Sequence, residues 1–158
     1  MLRDLLAAEG VKVVLNARNA AALDELADTL PDAVVVAGDI TDPLLPGQLV
    51  DTALKRWGQV DIVVGNAGGP PTGSALDVDD KQILAAMNSN LLASVRLARA
   101  AVPHMREQRW GRVCFIASAS VRQPNDFGQV VAFLCSEQAR FINGIALGVD
   151  GGAVTGLL

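Results

Sequence analysis

A chain of 158 residues is the size of one domain, and with 51% apolar residues it carries enough material for a sizeable core. Its net charge of −4 gives no basic field to draw nucleic acid or an acidic membrane. The opening MLRDLLAAEG, with Arg3, Asp4 and Glu9, is too polar for a secretory signal, and no apolar run reaches the length of a membrane span. Cys114 and Cys135 have no metal-ligand spacing and are expected to be buried, reduced thiols, which points to a cytoplasmic protein.

VKVVLNA (11–17) is a continuous apolar run rich in β-branched residues, the pattern of a strand buried on both faces. Leu23, Leu26, Ala27 and Leu30 follow at helical spacing, with Asn19 placed to cap them. AVVVAGD (33–39) is a second strand. Val50, Ala53, Leu54 and Trp57 mark a second helix at i, i+3, i+4 and i+7. VDIVVGNAGG (60–69) is a third strand running into glycines. Ile83, Met87, Asn90, Leu91 and Ala98 lie along one face of a long third helix, which predicts that Asn90 is buried with Ile83 and Met87 while Asn88 is solvated. A buried amide needs a partner, and a helix interior rarely supplies one, so Asn90 is either a site residue or a bridge to a neighbouring strand. RVCFIAS (112–118) is a fourth strand. Phe127, Val130, Val131 and Leu134 stripe a last helix, and GIALGVDGG (144–152) reads as a fifth short strand. Strands alternating with helices predict parallel βαβ units and a doubly wound α/β sheet.

Ligands of such sheets bind beyond the carboxyl ends of the strands. Arg18, after the first strand, is either a phosphate ligand or a solvated loop arginine. Asp39, after the second, either accepts from a base or ribose or is a turn aspartate. Asn66 to Gly68 follow the third, where glycine allows close approach of a ligand or simply a turn. Ser118 ends the fourth. His104, the only histidine, sits near the end of its helix, where a cationic or capping role fits better than catalysis.

Taken together, the GD at Gly38-Asp39, NAG at Asn66 to Gly68, NLL at Asn90 to Leu92, PHM before WGRVCFIAS, and VDGG near the end resemble the short-chain dehydrogenase/reductase family. The resemblance runs collinearly to about Pro124 and resumes at about Asn125. It implies a Rossmann-like fold and NAD(P)-dependent hydride transfer between nicotinamide C4 and the carbon of a small-molecule carbonyl or alcohol, in a homo-oligomer. It implies that Asp39 and Ile40 flank the adenine, and that Asn66, Ala67 and Gly68 lie along the cofactor. Asn90 matches the asparagine of the catalytic tetrad and Ser118 its serine. NAD-preferring relatives carry an aspartate after the strand corresponding to VKVVLNA; here Ala17 and Arg18 stand there, which implies NADP(H) over NAD(H).

The departures are large. The family's first strand and glycine-rich turn have no counterpart before VKVVLNA. After Ser118 there is no Tyr-x-x-x-Lys helix and no following strand. The chain has no tyrosine, and its lysines, Lys12, Lys55 and Lys81, all precede Ser118. SVRQP resembles a subgroup in which the tyrosine is often replaced. The expectation is therefore a single incomplete Rossmann-like domain over 1–158, with a deletion or omitted segment near 124–125. Neighbours of the two missing strands lose ladder partners and must pair anew, borrow strands or leave edges open. Two functions stand: an oxidoreductase of this family in the parent protein, or a non-catalytic remnant serving as a nucleotide-binding or interaction module.

Overall fold

A computed structural model describes residues 6–66, 77–117 and 124–149. The apolar runs of the first half build one βαβ unit. Strand β1 (Val13–Ala17) leads through helix α1 (Ala20–Ala27) to strand β2 (Ala33–Ala37), which pairs with it in parallel from Val13↔Ala33 to Ala17↔Ala37. The Asn19 side chain caps α1, accepting from the Ala22 amide at 3.1 Å and so satisfying one of the unpaired N–H groups of the first turn. Leu23 is the buried anchor of this short helix.

Helix α2 (Leu45–Trp57) carries the deepest packing. Leu45, Pro46, Leu49, Val50 and Ala53 are all buried. Pro46 sits in the first turn, where its missing N–H costs nothing. Gly58 ends the helix in the left-handed region, φ 78°, its N–H returning to the Leu54 carbonyl at 2.8 Å. Trp57 donates from its indole to Asp32 at 3.0 Å, tying the helix end to the entrance of β2.

Strand β3 (Ile62–Gly65) pairs in parallel with β4 (Arg112–Phe115), from Ile62↔Arg112 to Gly65↔Phe115. Between them runs a long helical stretch. Helix α3 (Asp80–Met87) opens with a reciprocal cap between Asp79 and Gln82, passes through a π-helical turn at Asn88–Leu92, and continues as α4 (Ala93–Glu107). Helix α5 (Pro124–Leu134) follows β4. The core joins the layers: Val50 and Ala53 of α2, Val60 and Val63 around β3, and Ala101 and Met105 of α4 pack as one cluster, flanked by Val14, Trp57 and Leu97.

The sheet is not continuous. The described strands form two separate parallel pairs, β1 with β2 and β3 with β4, and no ladder joins β1 to β3. This is where the family resemblance would place a further strand, and among the described residues no new pairing closes the gap.

Two expectations are corrected. Residues 143–149 form no strand, because a strand needs a ladder partner and the late strand that would supply it has no counterpart here. Ile83 and Met87 are not buried: they are 50% and 47% exposed, since α3 packs its apolar stripe against nothing among the described residues. Of the thiols, Cys135 is buried and free, whereas Cys114 is free but only half-buried.

Candidate functional site

The carboxyl ends of β1 and β2 are stitched together by one side chain. The Asn16 amide donates to the Val36 carbonyl at 2.8 Å and to the Gly38 carbonyl at 3.2 Å, while the Gly38 N–H donates to Ala17 at 3.0 Å. Arg18 and Asp39 leave this joint side by side, both exposed, with Ile40 half-buried behind them. Asp39 is also a turn aspartate: its Oδ1 accepts from the Thr41 amide at 2.9 Å and the Thr41 hydroxyl at 2.8 Å. The Thr41 amide, the Thr41 hydroxyl and, more weakly, the Arg18 charge hold its carboxyl below the usual range. Oδ2 has no protein donor among the described residues. Arg18 makes no ion pair within 4.0 Å among them.

Asn66 lies exposed just past β3. Its neighbours Ala67 and Gly68, and Ser118 beyond β4, lie outside the described residues. The end of β3 is crowded by α4: a Cβ added to Gly65 would stand 2.7 Å from the Ser94 hydroxyl. Ser94 is buried and donates to the Asn90 carbonyl at 3.1 Å.

Asn90 is half-buried, and the source of its partner is a correction. Its amide donates within its own helix, to the Ala86 carbonyl at 2.9 Å and the Ser89 hydroxyl at 3.2 Å, at the π turn, where the regular i→i+4 ladder is interrupted. Asn88 is likewise not solvated: its Oδ1 accepts from Arg96 Nη1 at 2.8 Å, and the same nitrogen reaches the Thr41 carbonyl at 3.5 Å. Arg96 thus links the π turn to the loop that presents Asp39, a connection that helical spacing alone did not reveal. His104 lies in the last turn of α4, where a cation suits the helix end.

The structure therefore gathers Arg18, Asp39 and Ile40 at one edge, Asn66 at the end of β3, and Asn90 on the π turn. No hydrogen bond joins Asn66 to Asn90 among the described residues. A shallow groove of about 380 Å³ lies elsewhere, between α4 and Phe115.

The sequence profile of the short chain dehydrogenase family matches residues 2–132. This chain belongs to that family. A Streptomyces violaceoruber protein provisionally named ketoacyl reductase 2 of the granaticin polyketide synthase is 31% identical over 123 residues, which cover 75% of this chain and 49% of that one. The crystal structure of a short-chain dehydrogenase from Streptomyces avermitilis is 31% identical, with a TM-score of 0.64 over 70% of this chain and 41% of that one. A Burkholderia xenovorans chain described as a short-chain dehydrogenase/reductase has a TM-score of 0.82 over 96% of this chain and 87% of that one; at 20% identity it shows the shared fold alone. The chain spans about half or less of the length of the curated relatives it matches. Membership makes it an oxidoreductase-family protein with a Rossmann-like α/β fold, and among the described residues no helix is long and apolar enough to cross a membrane.

Short-chain dehydrogenases use a nicotinamide dinucleotide, and the described residues fit it in part. The guanidinium of Arg18 and the Oδ2 of Asp39, which has no donor among the described residues, suit the adenosine end. For the pyrophosphate end no matching cradle is found among the described residues. Among the described residues the glycines with positive φ, Gly10, Gly58 and Gly144, precede β1, precede β3 and follow α5, so none of these shapes a nest of N–H groups at a carboxyl strand end. At Gly38, the space a Cβ would take is already closed by Leu45 Cδ2 at 3.0 Å.

Proposed function

We propose that the parent protein of this short-chain dehydrogenase chain is an NADP(H)-dependent oxidoreductase acting on a small-molecule carbonyl or alcohol, and that the chain supplies the adenosine-recognition edge. When bound, the cofactor supplies hydride exchange at nicotinamide C4. The observation that carries the reading is the exposed Arg18 beside Asp39 at the joined ends of β1 and β2. A guanidinium there favours a 2′-phosphate through charge-assisted bonds, and the Thr41 contacts hold Asp39 in place for the adenine beside Ile40. Asn66, Ala67 and Gly68 would continue the path of the cofactor. Ser118 would polarise the substrate oxygen, and Asn90 would order a water. Free thiols at Cys114 and Cys135 support a cytoplasmic setting, and the open strand edges support a homo-oligomer.

Fluorescence titration of NADPH and NADH against wild type and Arg18→Ala tests this. A charge-assisted hydrogen bond contributes about 1.5–3 kcal/mol, so wild type should prefer NADPH by roughly ten- to a hundredfold, and Arg18→Ala should lose the preference. Equal wild-type affinities would reject the assignment.

A second reading, a non-catalytic nucleotide-binding or interaction module, is favoured by one observation about these residues: the chain has no tyrosine, and Lys12, Lys55 and Lys81 all precede Ser118. A serine hydroxyl is too weak an acid to protonate the forming alkoxide unaided, and an asparagine cannot titrate. The 158-residue polypeptide should therefore oxidise no NADPH above background with ketones, quinones or acyl thioesters. Turnover that vanishes in Ser118→Ala would reveal a proton donor within these residues and overturn that expectation.

A further inference from the structure

Asn143 is the one asparagine of the chain that is followed by glycine, in FINGIALGV (141–149). The pair stands at a boundary. Upstream the chain is anchored: Arg112 Nη2 reaches the Ser136 carbonyl at 3.5 Å, and the Ile142 N–H closes a turn onto the Ala139 carbonyl at 2.8 Å. Downstream, residues 143–149 make no backbone hydrogen bond among the described residues. Asn143 and Gly144 are both exposed, and so are their neighbours Ile142 and Ile145, at 40% and 54%. Gly144 has φ 64°, and a Cβ built on it would meet nothing within 4 Å. The space beside its amide nitrogen is therefore open.

We propose that Asn143–Gly144 is a site of spontaneous covalent modification, at which the Gly144 amide nitrogen displaces the side-chain nitrogen of Asn143. The Gly144 N–H gives its proton to solvent base, and the nitrogen attacks Cγ of Asn143. The side-chain nitrogen takes a proton and leaves as ammonia, closing a cyclic imide. Water then opens the ring. Breaking the new Cγ–N bond leaves an ordinary aspartyl linkage. Breaking the original backbone C–N bond leaves the chain running through Cγ, one backbone carbon longer. One water is consumed and one ammonia released, with no change of oxidation state. Glycine suits the step because it has no Cβ to shield the attacking nitrogen and little restriction on its backbone. Either product adds a negative charge to a chain whose net charge is −4.

The fold withholds this combination from the other asparagines. Asn16 lies within β1, its amide donated to the Val36 and Gly38 carbonyls. Asn19 accepts from the Ala22 amide as a helix cap. Asn88 and Asn90 lie on the π turn, held by Arg96 and by the Ala86 carbonyl. Asn125 lies in α5, followed by Asp126. Asn66 is exposed, but Ala67 follows it, and a Cβ there shields the nitrogen. At Asn143 the sequence supplies the glycine, and the structure supplies exposure and a downstream segment with no ladder to break. The reaction needs neither cofactor nor a second copy, so it stands apart from the oxidoreductase reading.

Peptide mass mapping of the 158-residue chain, held folded in mildly alkaline buffer, tests it. Trypsin cuts after Arg140, and residues 141–158 contain Asn143 as their single side-chain amide, so an amide-to-acid mass gain in that peptide reports on Asn143 alone. Asp150–Gly151 rearranges without a mass change and does not interfere. While circular dichroism shows the chain folded, the gain should proceed within about threefold of its rate in a free peptide of residues 140–148, because a segment with no hydrogen bonds to break opens at almost no cost. Gly144→Ala should slow it at least about tenfold by shielding the nitrogen, and Asn143→Gln should show no gain over the same period. A folded chain in which Asn143 is protected about tenfold or more relative to the peptide would overturn the proposal. An unslowed Gly144→Ala would also overturn it, since water would then be hydrolysing the side chain directly.

Discussion

Replacing Gly65 by alanine probes the contact that sets the distance between β3 and the helix bearing Asn90. A Cβ at Gly65 would meet Ser94 Oγ at 2.7 Å and both Ser94 Cβ and Phe115 Cδ1 at 3.1 Å. Phe115, 46% exposed, can turn its ring aside, but Ser94 cannot withdraw freely. Gly65 is held in the ladder opposite Phe115, and the inner face of α4 is tightly packed, with Ala93, Ser94 and Ala101 at 1%, 5% and 0% exposure. Overpacking of this kind costs about 1–3 kcal/mol. Turning the Ser94 hydroxyl aside would also break its bond to the Asn90 carbonyl, worth about 1 kcal/mol. Against this, alanine restricts the unfolded chain and returns about 0.4–1 kcal/mol. The net expectation is a loss of about 2 kcal/mol. Urea unfolding followed by Trp57 and Trp110 fluorescence would register this as a fall in midpoint on the order of 1 M. Ser94→Ala removes the nearest atom, so the double variant should recover about 1 kcal/mol relative to additivity. A loss below about 0.5 kcal/mol, or the same loss in the Ser94→Ala background, would refute the claim that this approach is sterically limiting.

Asn19→Ala should cost about 1 kcal/mol and speed hydrogen exchange at the Ala22 amide, whereas Asn19→Asp should keep the cap; unchanged exchange in the alanine variant would remove Asn19 from the helix start. The Cys135 thiol is pushed up to about 11 by burial and by the neighbouring Cys114, with Arg112 opposing. Because the folded state holds the proton more tightly, this contribution is complete below about pH 9, where the unfolded thiol is still protonated, and is lost as pH rises toward 11. After solvent screening it amounts to about 1–2 kcal/mol. The chain has no tyrosine to titrate in that window. Urea midpoints at pH 8 and pH 10.5 should therefore fall further for wild type than for Cys135→Ala, and equal falls would show that the thiol is not the cause.

The apolar runs of β1, β2 and β3 and the stripe of α2 were legible in the sequence because each finds its partner within the chain. Val50, Ala53 and Trp57 were placed by spacing alone, and all three meet the core. Ile83 and Met87 show what spacing cannot say. An apolar stripe records which face is suited to burial, not whether anything covers it, and here α3 leaves both residues half exposed. Residues 144–149 carry the same lesson for a strand, whose period-two pattern is local while its ladder is not. Both errors fall where the family pattern loses an element: the segment after Ser118 and the strand beside 144–149.

The misplacement of Asn88 has a different origin. A π turn inserts about one extra residue into the helical register and rotates the remainder of the helix by roughly 100°. Counting 3.6 residues per turn from Ile83 sends Asn88 to solvent; across the turn at Asn88–Leu92 it meets Arg96 instead. No residue type announces such a turn. Its consequence reaches the candidate site, because Arg96 also touches the Thr41 carbonyl, and Thr41 orients Asp39. The Asp39 loop and the Asn90 helix, which the letters present as two unrelated motifs some fifty residues apart, are joined through one arginine. The Asp39 loop thus gains a support across the gap between the two strand pairs, where no ladder among the described residues supplies one.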